Sequence, residues 1–200
     1  MKYFHTGLIV VLFAVLTIFA QEIPPPDEQI AAALQAAPEA FRENAAVLGY
    51  NPQGELVTLK KGSNEIICLA DDPQRAGFSA AAYHKALEPF MARGRELRAQ
   101  GKTNSEVFDI REAEAKSGKL KMPERGATLH VLSGPEGYYN PETGKVENVI
   151  YRYVVYIPWA TAESTGLPAS PSTPGGPWIM DPGTHRAHIM INPPADSGQK

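Results

Sequence analysis

The sequence predicts an α+β fold: a mostly antiparallel sheet with helices packed on it, in one domain. Three observations carry this. Val, Ile and Tyr gather in short runs bounded by Gly, Pro, Asn and Asp, foremost Asn148 to Ile157 (NVIYRYVVYI). Helix-like stretches with start and stop signals lie between two β regions rather than alternating with single strands. Short Gly-containing links join neighbouring apolar runs, as hairpins require.

In chain order, Ile23-Pro24-Pro25-Pro26 is extended, because proline fixes φ and donates no hydrogen bond. Asp27 is the expected cap of a helix, EQIAAALQAA, whose Ile30 and Leu34 share a face. Pro38 stops that helix or begins the next turn, PEAFRENAAVLGY, and the many short side chains suit a close approach to a sheet. Glu55 to Lys60 and Asn64 to Ala70 read as strands of a hairpin about Lys61-Gly62-Ser63. Ser79 is expected to cap a helix, AAAYHKAL, which Pro89 breaks or restarts and Gly101 ends. Thr103 to Glu106 has capping-box spacing and opens a helix to Gly118 with a polar, solvent-facing side. Thr128 to Ser133 is a strand, followed by a loop with two turn signals. The pleat of Asn148 to Ile157 places Tyr151 and Tyr153 on one face and Val154 and Tyr156 on the other. Residues 165–177, holding four prolines, form a long loop before the closing pair of strands, Trp178 to Met180 and Ala187 to Ile191.

The N-terminus sets the compartment. Lys2 precedes fourteen uncharged residues, Gly7 to Ala20, too few to span a bilayer and ordered like a secretory signal cleaved after Ala20. The expected organisation is therefore a signal peptide (1–20), a Pro-rich segment (21–26), the α+β domain (27–194) and a flexible tail (195–200). Localisation is expected to be periplasmic or secreted, with no stable membrane insertion after cleavage. Loss of Lys2 moves the formal charge from −3 to −4, and no clustered basic surface is visible, which argues against nucleic acid. A small molecule or an envelope protein remains as the partner class. Cys68, the single cysteine, lies in an apolar run and reads as a small buried hydrophobe.

Few residues announce chemistry. His185 and His188 lie three apart, but on a strand such positions face opposite ways. A metal site would need His130, His188 and Asp181 to converge, or His185 in place of one of them, with zinc or iron as the ion; the spacing matches no ligand motif, and no cofactor is expected. Ser133 lacks the glycines of a nucleophile elbow. Glu112 and Glu114 read as solvated. Aromatics cluster in the last third, and Tyr151, Tyr153, Trp159 and Trp178 are the candidate ligand-binding set.

The stretches GELVTLKKGSNEIICLADD and IMDPGTHRAHIMI, with the Glu/Arg-rich helix between them, resemble a family of exported bacterial proteins with no assigned activity. Gly62, Asn64, Cys68, Gly183, Thr184 and His188 carry the likeness, which spans roughly Ile30 to Pro193. Relatives often hold a second Cys soon after the first; residues 69–80 here hold none. The resemblance implies export and a bacterial source and adds no mechanism. The expected function is a non-enzymatic binding or accessory domain of the envelope; the alternative is a metal-assisted hydrolase at the His/Asp set.

Overall fold

A computed structural model describes residues 22–192. The expected export signal and the tail lie outside the described residues, and no described helix is long and apolar enough to cross a membrane. The elements run α1 (Pro26–Leu34), α2 (Glu39–Arg42), β1 (Ala46–Tyr50), β2 (Leu56–Lys60), β3 (Ile66–Leu69), β4 (Phe78–His84), α3 (Glu88–Ala99) and α4 (Asn104–Lys116). They continue with β5 (Ala127–Gly134), β6 (Tyr138–Asn140), β7 (Lys145–Glu147), β8 (Ile150–Tyr156), α5 (Ala162–Thr165), β9 (Trp178–Met180) and β10 (His188–Ile191). Eight strands form one sheet in the order β2-β1-β3-β4-β5-β8-β10-β9, and β6 pairs with β7 apart from it. Every neighbouring pair is antiparallel except β1 with β3. The α+β class holds.

Several local expectations are corrected. Asp27 does not cap α1; Pro26 occupies the first helical position, where a missing N–H costs nothing, and Asp27 lies in the first turn. The helix expected from Pro38 stops at Arg42, and Ala46 to Tyr50 is a strand with partners on both sides. The Glu55–Ala70 hairpin does not exist, because β1 lies between β2 and β3. Lys61 to Ser63 instead crosses the end of β1, and Ser63 and Asn64 donate their N–H groups to Asn44 O. Phe78 to His84 is a strand although its alanines favour a helix. Ala80 and Ala82 are fully buried in the cluster that includes Ala32, Ala33 and Ala36 of the α1 segment, so small side chains serve close packing and tertiary contact overrides propensity. The loop after Ser133 holds the β6–β7 hairpin.

The sheet has two covered faces. On one, the α1 segment and the β6–β7 hairpin bury Val47, Cys68, Ala80 and Leu132. On the other, residues of α3 and α4 and the stretch after them pack over Tyr83, Val154, Tyr156 and Met190. The capping box of α4 forms as expected, with Thr103 Oγ1 accepting from Glu106 N and the Glu106 carboxylate from Thr103 N. Its outer side is not simply solvated: Glu114 takes a two-pronged contact from Arg93 of α3 at 2.7 and 2.9 Å.

Candidate binding site between the helical pair and the C-terminal strands

The pleat of β8 turns Val154 and Tyr156 toward α3 and α4, and the register of β10 sets His188 opposite Tyr156. Phe90, in the first turn of α3, meets the Tyr156 ring at 5.3 Å, and Tyr156 meets the His188 ring at 5.1 Å. Arg111 enters from α4. Its guanidinium stands 3.8 Å above the Phe90 ring and donates to Phe90 O at 3.1 Å, yet its Nε has no partner and the residue is 4% exposed. No carboxylate among the described residues pairs with it.

Gly94 makes room for this. A side chain there would begin 2.9 Å from Arg111 Nη1 and 3.1 Å from Arg98 Nη1, so the two guanidinium groups come within about 6 Å of each other. Burial, then the charges of Arg98 and Arg186, push Arg111 down to about 10; it remains a cation at neutral pH. Arg98 is exposed and Arg186 is paired with Asp181, so the cost of an uncompensated charge falls on the buried Arg111.

Beside this cluster lies a dyad of a buried histidine and a partly buried carboxylate. His185 is fully buried; its Nδ1 is 2.5 Å from Glu112 Oε2, which also accepts the His185 backbone N–H at 3.0 Å. Edges of Phe90 (5.8 Å) and Phe108 (5.0 Å) enclose the ring. Its Nε2 has no partner, so a proton there would be a buried, unsatisfied donor. The ring is neutral: burial lowers its pKa against the opposing pull of Glu112, and Nδ1–H donates to the carboxylate. Burial alone would raise Glu112, but hydrogen bonds from Lys116 and His185 outweigh it and hold the carboxyl at about 2. Arg186 lies 4.9 Å over the Phe108 ring and pairs with Asp181 at 2.7 Å.

The structure disperses the residues singled out in the sequence. His130, Tyr151 and Tyr153 share the α1 face, where His130 Nδ1 meets Tyr151 Oη at 2.5 Å and the three rings lie 5.9 Å apart pairwise. Burial lowers the His130 pKa. Trp178 lies on the helical-pair face, and Trp159 follows β8 at a positive φ of 68°, 40% exposed. The four aromatics therefore do not form one ligand surface. Nor do the four proposed metal ligands converge. His185 sits in the turn before β10 rather than on the strand and is held by Glu112; Asp181 is held by Arg186; His130 is across the sheet. Among the described residues, no three His, Cys, Asp or Glu side chains are placed to share an ion.

No family model, curated protein or solved structure matches the chain.

Sequence reasoning missed Arg111, Phe90 and the role of Glu112, which is a partly buried anchor rather than a solvated acid. One signal for Arg111 was present: it falls four residues after the buried Val107, on the apolar side of α4. Glu112 lacked any such signal, since its partner lies 73 residues away.

Proposed function

We propose that this protein is a non-enzymatic binding domain, exported to the bacterial envelope, that holds a small anionic ligand against Arg111 and Arg98. The observation that carries the reading is the Arg111 guanidinium, 4% exposed with no opposing carboxylate among the described residues. Guanidinium groups match carboxylate and phosphate oxygens through parallel N–H donors, so either headgroup fits this chemistry. Phe90 and Tyr156 offer an apolar wall beside it. Export rests on the residues before Gln21, whose charge and length follow the order of a secretory signal.

Thermal unfolding against phosphate and a panel of small organic acids tests this, with Arg111→Met as the comparison. A bound anion at a hundred times its Kd stabilises the fold by about 2.7 kcal/mol. The variant is expected to lose that gain and, without any ligand, to be more stable than the parent by about 1–4 kcal/mol, because an uncompensated buried charge is gone. Equal responses in the two proteins would refute the reading, since general salt effects act on both alike.

A further inference from the structure

All four methionines of the described chain, Met91, Met122, Met180 and Met190, pack into the cluster on the helical-pair face; the cluster under α1 holds none. One of them faces a histidine and another a tryptophan in a defined register. In the β9–β10 register, His188 lies directly opposite Met180, and Met190 directly opposite Trp178. Directly opposed side chains share a face with Cβ atoms about 4.5–5.5 Å apart, and residues two apart on one strand share it too. His188, Met190, Met180 and Trp178 therefore make a two-by-two patch on one side of the sheet.

We propose that this patch is a binding site for a soft monovalent ion, copper(I) or silver(I), with His188 Nε2 and the Met180 and Met190 sulfurs as ligands and the Trp178 ring as cover. The imidazole is prepared for this. His188 Nδ1 is 2.7 Å from Arg186 O, so Nδ1 carries the proton and Nε2 presents its lone pair. A backbone carbonyl on the other ring nitrogen is the usual way a ligating histidine is oriented. Nε2 has no hydrogen-bond partner among the described residues. Thioether sulfur is a soft, uncharged donor that selects copper(I) over zinc, magnesium or calcium. Methionine's three rotatable bonds let both sulfurs turn to one point.

The surroundings suit such an ion. The nearest charge on the same turn, Arg186, is already neutralised by Asp181 at 2.7 Å. Trp178 supplies a π face for a cation, and its Nε1 has no partner to hold the ring elsewhere. Access is available because β9 is the sheet's edge strand and Met180 and Trp178 are only half-buried.

The test is competition of the purified protein with a colorimetric copper(I) chelator under reducing conditions, together with silver(I) quenching of tryptophan fluorescence. One equivalent per chain is expected, with zinc(II) failing to compete. The Met180→Leu/Met190→Leu protein keeps core volume, so its unfolding midpoint should stay close to the parent's. Its affinity should fall by about a hundredfold or more, beyond the usual effect of removing an outer-shell partner. Cys68→Ala should bind as the parent does, because Cys68 lies in the cluster on the opposite face. Trp178→Phe should bind without the quench. Absent stoichiometric uptake by the folded parent, or uptake that survives the double methionine change or vanishes with Cys68→Ala, would overturn the proposal. The anion reading stands or falls separately, through Arg111→Met.

Discussion

Glu112 shows how far one carboxylate can reach. It fixes both the backbone N–H and the ring of His185, and so pins the turn that leads into β10. Glu112→Ala would leave a buried ring N–H and a buried main-chain N–H without acceptors. Each such loss costs about 1–3 kcal/mol, so urea unfolding of the variant should show a deficit of at least about 2 kcal/mol. An unchanged midpoint would mean that the contact contributes nothing net. Cys68 makes the contrary case. Burial pushes its thiol up to about 12, and no thiolate is available at neutral pH. A thiol reagent should therefore label the native protein no faster than the protein opens, and labelling within seconds at pH 8 would contradict its placement. Cys68 was legible because an apolar run around a lone cysteine is a local fact. Glu112 was not, because its partner comes from another part of the chain.

At the scale of elements, what could be read was what local sequence controls. The capping box of α4, the proline in the first turn of α3, and the alternation of β8 all follow from neighbours within a few residues. The departures, β1 and β4, are alanine-rich or short, and pairing on both edges decides them. No local pattern states that β1 will slip between β2 and β3. Gly62 does carry a trace of it. A Cβ there would fall 2.2 Å from Ala46 N and 2.6 Å from Ala45 C, so this link passes flush against the start of β1. Gly62→Ala should cost about 2–3 kcal/mol in chemical denaturation, because backbone must move to admit the methyl group. At Gly118, where the added carbon meets nothing but φ is +76°, about 1 kcal/mol is expected from backbone conformation alone.

For the molecule as a whole, acid sensitivity follows from its buried imidazoles. His185 and His188, both buried, and His130, half-buried, are all held below the ordinary imidazole value by burial, so the folded chain takes up fewer protons than the unfolded one below about pH 6.5. Stability from these three groups is complete above that pH and is lost as pH falls through it, by up to about 4.1 kcal/mol per pH unit. Glu112, depressed to about 2, adds a second loss between roughly pH 4.3 and 2, in the same direction. Urea midpoints measured from pH 8 to 5 should be level above 7 and then decline. His185→Gln should remove about one proton from that dependence, and a level profile down to pH 5 would contradict the neutral assignment.

The position of β10 has one more consequence. This last described strand is not at a margin of the sheet but between β8 and β9, which pair with it and not with each other. During synthesis β8 keeps an unmatched flank, and β9 has nothing to join, until residues 188–191 emerge. Two of the seven pairings in the sheet, and the one pairing that β9 makes, therefore wait on residues 188–191, and until these emerge that flank can join no other strand of its own sheet.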